Sequence, residues 1–185
     1  MNTFVVANPH KCIGCKACEI ACAVAHLPVD INAAAARQTT FLPRINLVRA
    51  PRVTMPVQCR QCEDAPCANV CPVNAIAQQE NRIVVHSELC IGCKACMVAC
   101  PFGAMDMAIQ EEEQSILQVA NDRGAERKKV MVAHKCDLCT GRPGGPACVE
   151  VCPAEAFVVV NPQKLIRNMK EKRLASAWGM LSGRR

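Results

Sequence analysis

Along the 185-residue chain, short apolar runs alternate with polar loops, and the alternation repeats in the same order four times. The runs Phe4-Val5-Val6, Val53-Thr54-Met55, Ile83-Val84-Val85 and Val130-Met131-Val132 have the length and β-rich composition of short strands. Each leads into a loop that carries four cysteines. After three of these loops comes Cys-Pro-x-x-Ala-apolar, at Cys71–Ile76, Cys100–Met105 and Cys152–Phe157. The residues just before that motif (Ala68-Asn69-Val70, Met97-Val98-Ala99 and Val149-Glu150-Val151) suit a helical turn, which the proline then ends. The pattern predicts an α+β fold of repeated short β-hairpins and helical turns.

Two other patterns stand apart from the repeats. Ala33-Ala34-Ala35-Ala36 predicts a short helix. Asn161-Pro162 supplies an N-cap and first-turn pair for a C-terminal helix running to about Leu181, weakened only at Gly179. In that helix Leu165, Ile166 and Met169 form one apolar stripe, and Leu174, Trp178 and Leu181 form another. At 100° per residue the stripes are offset by roughly 140°. The offset predicts that the first half packs on its own domain and that the second half docks on another subunit, with Trp178 as anchor. The segments Ala23–Arg52 and Asp106–Lys129, the latter holding Glu111-Glu112-Glu113, carry no cysteine between them and read as solvated connectors or docking segments.

Composition sharpens the picture. The chain has sixteen cysteines but only four Phe, one Trp and no Tyr, so aromatic side chains cannot fill an ordinary core. Cysteines in this number mean disulfides or metal. No secretory signal, and no twin-Arg pair, is visible at the start, and the apolar run Phe157–Val160 is far too short for a membrane span. The chain therefore reads as soluble and cytoplasmic, where thiols stay reduced. The formal charge of +6 does not read as a nucleic-acid surface, because basic residues cluster only near Arg127-Lys128-Lys129 and in the tail, and stacking aromatics are almost absent.

The spacings select metal. Cys12, Cys15, Cys18 and Cys22 follow C-x2-C-x2-C-x3-C, and Cys90, Cys93, Cys96 and Cys100 repeat it, with the heptapeptide CIGCKAC identical in both. Cys59, Cys62, Cys67 and Cys71 follow C-x2-C-x4-C-x3-C, and Cys136, Cys139, Cys148 and Cys152 follow C-x2-C-x8-C-x3-C. The first of these spacings is that of the bacterial ferredoxin run for a 4Fe-4S cluster, whose fourth cysteine ligates the other cluster of a pair. All-cysteine zinc sites use two C-x2-C knuckles across a longer loop, which only the last group could imitate. Four groups of four ligands imply four 4Fe-4S clusters. Gly14 and Gly92 suit loops that take unusual backbone angles close to a bulky core.

The intervals suggest the pairing. Eighteen residues separate Cys71 from Cys90, against 36 between Cys22 and Cys59 and 35 between Cys100 and Cys136. The second and third groups therefore form a compact inner module at residues 53–108. The first and fourth form an outer module from residues 1–52 and 109–160, nested around it, and 161–185 form the C-terminal helix. Ligand exchange then gives four sets: Cys59, Cys62, Cys67 with Cys100; Cys90, Cys93, Cys96 with Cys71; Cys12, Cys15, Cys18 with Cys152; and Cys136, Cys139, Cys148 with Cys22. With about two negative charges on each site, the formal +6 becomes roughly −2. Lys11, Lys16, Lys94 and Lys135 sit beside ligands, where they can tune potentials, guide a partner or merely be solvated. The histidines His10, His26, His86 and His134 show no ligand spacing and read as surface or hydrogen-bonded residues. No catalytic constellation is present, and irons fully capped by cysteine leave no open Lewis-acid position.

These motifs, together with FLPRI at Phe41–Ile45, CRQCEDAPCANVCPVNAI at Cys59–Ile76, KCDLC at Lys135–Cys139 and GPAC at Gly145–Cys148, make the chain resemble a known family up to about Val160. It resembles the four-cluster ferredoxin subunits of molybdopterin oxidoreductase complexes, and more closely the HycB/HydN group associated with formate dehydrogenases and hydrogenases. The resemblance implies two nested bacterial-ferredoxin-like modules. It also implies a relay of single electrons between a formate dehydrogenase-type catalytic subunit and a hydrogenase, as in formate hydrogenlyase or hydrogen-dependent CO2 reductase, with other ferredoxin-like subunits as further partners. The alternatives are an accessory role in hydrogenase or formate dehydrogenase maturation, the iron-sulfur subunit of another molybdopterin oxidoreductase, or a reductase subunit whose cluster binds substrate. The sequence departs from the pattern at Ala23, where proline would follow the fourth cysteine, and it lacks the long transmembrane tail of membrane-anchored relatives.

Overall fold

The computed structural model describes residues 1–111 and 129–182. Mixed short strands and helices make it an α+β protein. The element order is β1 (Phe4–Ala7), α1 (Ala17–Ala25), α2 (Ile31–Ala36), β2 (Ile45–Ala50), β3 (Val53–Gln58), α3 (Pro66–Asn69), β4 (Ile76–Gln79), β5 (Arg82–Val85), α4 (Ala95–Ala99), β6 (Asp106–Glu111), β7 (Lys129–His134), α5 (Ala147–Glu150), β8 (Phe157–Val160) and α6 (Pro162–Ser182).

All strands pair antiparallel, in four two-stranded ribbons. β2–β3 and β4–β5 are tight hairpins, the second turning at Glu80-Asn81 with both residues at positive φ, as a two-residue turn matched to strand twist requires. β6 pairs β7. β1 pairs β8, with Phe4 opposite Val160 and Ala7 opposite Phe157, so the first and last strands of the repeats close on each other. Two-stranded ribbons are marginal alone; here each packs beside a cysteine loop.

The helices follow the prolines. α4 stops at Ala99, and α3 and α5 are single turns ending just before Cys71 and Cys152. In the first group Ala23 stands where proline would, and α1 runs through Cys22 to Ala25, the nine-residue exception. α1 packs against α5, and α3 against α4.

Two small apolar clusters result. One joins Val5, Ala7, Ile45 and Phe157 to Cys18, Cys22 and Cys148. The other joins Ile76, Ile83, Met105 and Ala133 to Cys96. The largest fully buried side chains are Ile45, Ile83, Gln61, Val5, Asn2 and Pro56. Two of these six are polar amides, so the centre of the molecule is not an oil drop.

Two expectations are corrected. Ala23–Arg52 is not a free connector: it forms α2 and β2, and β2 folds back on the first cysteine group, with Leu47 N–H donating to Glu19 Oε1 at 2.7 Å. The first half of α6 does not pack on its own domain. Asn161 caps it, accepting from Lys164 N–H at 2.8 Å, but Leu165, Ile166 and Met169 remain 37%, 67% and 42% exposed. An amphipathic stripe dictates that something should cover it, not that this chain does. Glu112 and Glu113 lie outside the described residues, as do the side chains of Glu111 and Leu181.

Candidate metal centres

The two CIGCKAC loops adopt one conformation. Gly14 and Gly92 have φ of 69° and 68°, and Lys16 and Lys94 both have 65°. Left-handed backbone at alternate positions coils the loop, so thiols three residues apart converge on one centre. A hairpin covers each loop. A Cβ on Gly14 would lie 2.9 Å from Thr54 Cγ2 of β3, and one on Gly92 would lie 2.7 Å from the Met131 carbonyl oxygen of β7.

Cys12, Cys15 and Cys18 line a cavity together with Cys152 from the fourth group. Cys90, Cys93 and Cys96 line a second with Cys71 from the second group. Each leaves about 320 Å³ of empty space, part of it open to solvent. Among the remaining eight cysteines, burial and neighbouring thiols act on several. Cys67 is pushed up to about 11 by burial and by its neighbours Cys59 and Cys100, and Cys62 is raised by burial and by the same two thiols. Cys148 is raised by burial and then by Cys136, Cys22, Cys139 and Cys18. Burial likewise pushes Cys136 up to about 12 and Cys18 to about 11.

Backbone N–H groups point at the sulfurs. In the three Cys-Pro-x-x-Ala motifs the alanine N–H reaches back to the cysteine: Ala75 to Cys71 at 3.3 Å, Ala104 to Cys100 at 3.4 Å and Ala156 to Cys152 at 3.3 Å. Proline makes this possible by turning the chain straight after the cysteine. Cys22 has no such turn, and its sulfur accepts instead from Arg44 N–H at 3.3 Å. The FLPRI segment thus supplies in trans what proline supplies locally elsewhere. Gln61 N–H to Cys59 at 3.4 Å and Ala133 N–H to Cys90 at 3.3 Å complete six such bonds.

Around Cys22 lies a charged cluster. His26 donates from Nδ1 to the Cys22 carbonyl at 2.7 Å and from Nε2 to Asp137 Oδ1 at 2.9 Å; Arg44 pairs with Asp137 Oδ2 at 2.6 Å. The Asp137 bond, with help from Cys22, holds the imidazole protonated, up to about 10. Burial opposes ionisation of Asp137, but His26 and Arg44 outweigh it and hold the carboxyl down at about 2. His134 goes the other way, to about 4, through burial and the nearby positive charges of Arg44 and His26. His26, Asp137 and Cys139 are close enough to hold an ion, but both imidazole nitrogens already donate, so the trio is an ion pair beside a sulfur.

The fit to iron-sulfur clusters is good. All sixteen cysteines are free. Burial disfavours the thiolate of Cys18, Cys62, Cys67, Cys96, Cys136 and Cys148 unless a cation is present, and thiolates select soft metals and Fe–S clusters. Hydrogen bonds to sulfur are a recognised control of cluster potential. Sequence spacing missed the buried polar residues Asn2, Gln58, Gln61 and Lys135. Nothing in the local pattern distinguishes Gln61 from its half-buried neighbours; only Lys135, next to a cysteine, carried a signal, shared with three other lysines.

Models described as "4Fe-4S binding domain" match residues 9–25 and 83–106. Over 177 residues the chain is 43% identical to electron transport protein HydN of Escherichia coli K12, covering 96% of this chain and 98% of that one. It is 39% identical over 197 residues to hydrogenase-4 component A of the same strain (96% and 92% covered), and 40% identical over 167 residues to an iron-sulfur protein of Rhodospirillum rubrum (86% and 83%).

Proposed function

The chain belongs to the HydN/HycB group of 4Fe-4S ferredoxin-like electron-transport proteins, and we propose that it carries four clusters and relays single electrons between a formate dehydrogenase-type catalytic subunit and a hydrogenase. The observation that carries the reading is the crossing of ligands: Cys152 lines the cavity of the first group and Cys71 that of the third. The neighbours of Cys67 and Cys148 favour the same exchange for the other two sets. The modules then nest, inner 53–108 within outer 1–52 and 109–160, a reading supported by the β1–β8 pairing and by the α1–α5 and α3–α4 packing.

A bound 4Fe-4S cluster supplies a one-electron couple whose potential depends on hydrogen bonds, charge and exposure. The chain's own residues do the rest. Sixteen thiolates would hold the irons with no corner left open. Leu47, Pro56 and Phe157 wall one site, and Ile76 and Met107 another, against water. Backbone N–H groups donate to the sulfurs of Cys22, Cys59, Cys71, Cys90, Cys100 and Cys152. In this reading the protein is a conductor, and substrate turnover belongs to its partners.

The relative named hydrogenase-4 component A supports a hydrogenase-related partner. Exposed Leu174 and Trp178, at 52% and 70%, make the end of α6 the docking segment. No helix among the described residues is long and apolar enough to cross a membrane, which favours a cytoplasmic complex. Anaerobically purified native complex tests the reading. It should contain close to sixteen irons per chain and co-purify with a dehydrogenase and a hydrogenase subunit. Co-purification with maturation factors alone would favour an accessory role. In Cys100→Ser, the electron paramagnetic resonance signal that changes should belong to the second group's site. A change at the third group's site instead would remove the ligand exchange.

A further inference from the structure

Four lysines flank ligands in the sequence, and the structure separates one from the rest. Lys11, Lys16 and Lys94 are exposed, whereas Lys135 is only 4% exposed. Its Nζ faces three oxygens: Gln61 Oε1 at 3.4 Å, the Cys136 carbonyl at 3.1 Å and the Ile83 carbonyl. Each is an acceptor. Gln61 Oε1 is fixed as oxygen because it also accepts from Ile83 N–H at 2.8 Å, while Gln61 Nε2 donates to the Cys136 carbonyl at 2.8 Å. Three acceptors around one nitrogen match the three donors of an ammonium and leave nothing for a neutral amine's lone pair.

Among the described residues no carboxylate pairs with this ammonium. Three neutral oxygens do not repay the desolvation of a buried charge. The link to sulfur runs through Gln61: its Oε1 accepts from Lys135 Nζ at 3.4 Å, and its backbone N–H donates to Cys59 Sγ at 3.4 Å. The lysine also sits at a junction. Gln61, buried between Cys59 and Cys62, ties the second group's loop to β5 and to Cys136.

The geometry points to Lys135 as the fixed countercharge of the site formed by Cys59, Cys62, Cys67 and Cys100, setting that site's potential where the inner and outer cysteine sets meet. It rests on the four-cluster reading. A cation beside a cluster stabilises the added electron, so removing it makes reduction harder. Lys135 is a positioning and tuning residue; it ligates nothing.

The test is a potentiometric titration, followed by electron paramagnetic resonance, of the full chain prepared anaerobically. In Lys135→Met one couple should fall. At a fixed potential its oxidised-to-reduced ratio should rise about tenfold, which is about 59 mV for one electron, while the other three couples hold. The couple that moves should be the one Cys100→Ser perturbs. Lys135→Arg keeps the charge and should leave all four in place. Unchanged couples in Lys135→Met, or an equal shift in Lys135→Arg, would overturn the assignment. If Lys135→Met loads no iron, Lys135→Gln carries the same test. Loading lost in both neutral variants but kept in Lys135→Arg supports the countercharge; loading lost in all three means a packing role and overturns it. An iron count near sixteen on the unsubstituted chain is taken first, and a shortfall there sinks the four-cluster reading, not the lysine.

Discussion

Gly14 and Gly92 occupy equivalent places in identical heptapeptides, yet their surroundings differ. Both need left-handed backbone, and any side chain there carries about 1–2 kcal/mol of strain. At Gly14 the new methyl would meet a side-chain methyl, Thr54 Cγ2, rather than backbone. At Gly92 it would meet the Met131 carbonyl, which belongs to the β6–β7 ribbon and cannot yield. Gly92→Ala should therefore cost roughly 2–4 kcal/mol, the range of severe single substitutions, and Gly14→Ala nearer 1–2. Half-lives of cluster absorbance under chelator check this: the Gly92 variant should bleach markedly faster, and equal rates would show that the ribbon does not clamp the loop. The spacing of cysteines and the two glycines were legible in the sequence because a loop wrapped on a centre imposes a short local period. Arg44 was legible only as part of a motif. Its N–H serves Cys22 across 22 residues, and no local pattern announces a donor that distant.

Elements were read well wherever a proline or a β-branched run punctuated the chain. The helical turns end before Cys71, Cys100 and Cys152 as the prolines require. β2 escaped notice because Ile45–Ala50 is exposed along most of its length and lacks clean alternation; its place comes from pairing with β3. The C-terminal helix teaches the opposite lesson. Its cap and extent follow from local chemistry, but what its stripes pack against is a tertiary fact, and here most of the helix faces solvent. Removing residues 175–185 should leave the iron content unchanged and reduce capture of the partner subunit at least tenfold in pull-downs from anaerobic extract. Undiminished capture would mean that the exposed Trp178 face is not the docking segment.

At the scale of the whole molecule the core is the question. The two apolar clusters are small and each includes cysteines, and the polar hub of Asn2, Gln61 and Lys135 lies where a larger domain would bury hydrocarbon. When ligand binding supplies the folding free energy, metal removal unfolds the protein. Chelation under anaerobic conditions should abolish the far-ultraviolet circular dichroism of the folded state and open the chain to protease. An iron-free chain that kept its spectrum and resisted protease would show that the side chains suffice. By itself the sequence determined the local things: sixteen cysteine positions, the loops that carry them, the turns after Cys-Pro and the cap at Asn161, all set by interactions within a few residues. Only the tertiary structure decided which lysine is buried and which distant N–H serves Cys22. Those are contacts between segments tens of residues apart, and they are fixed by strand pairing and burial, not by any pattern along the chain.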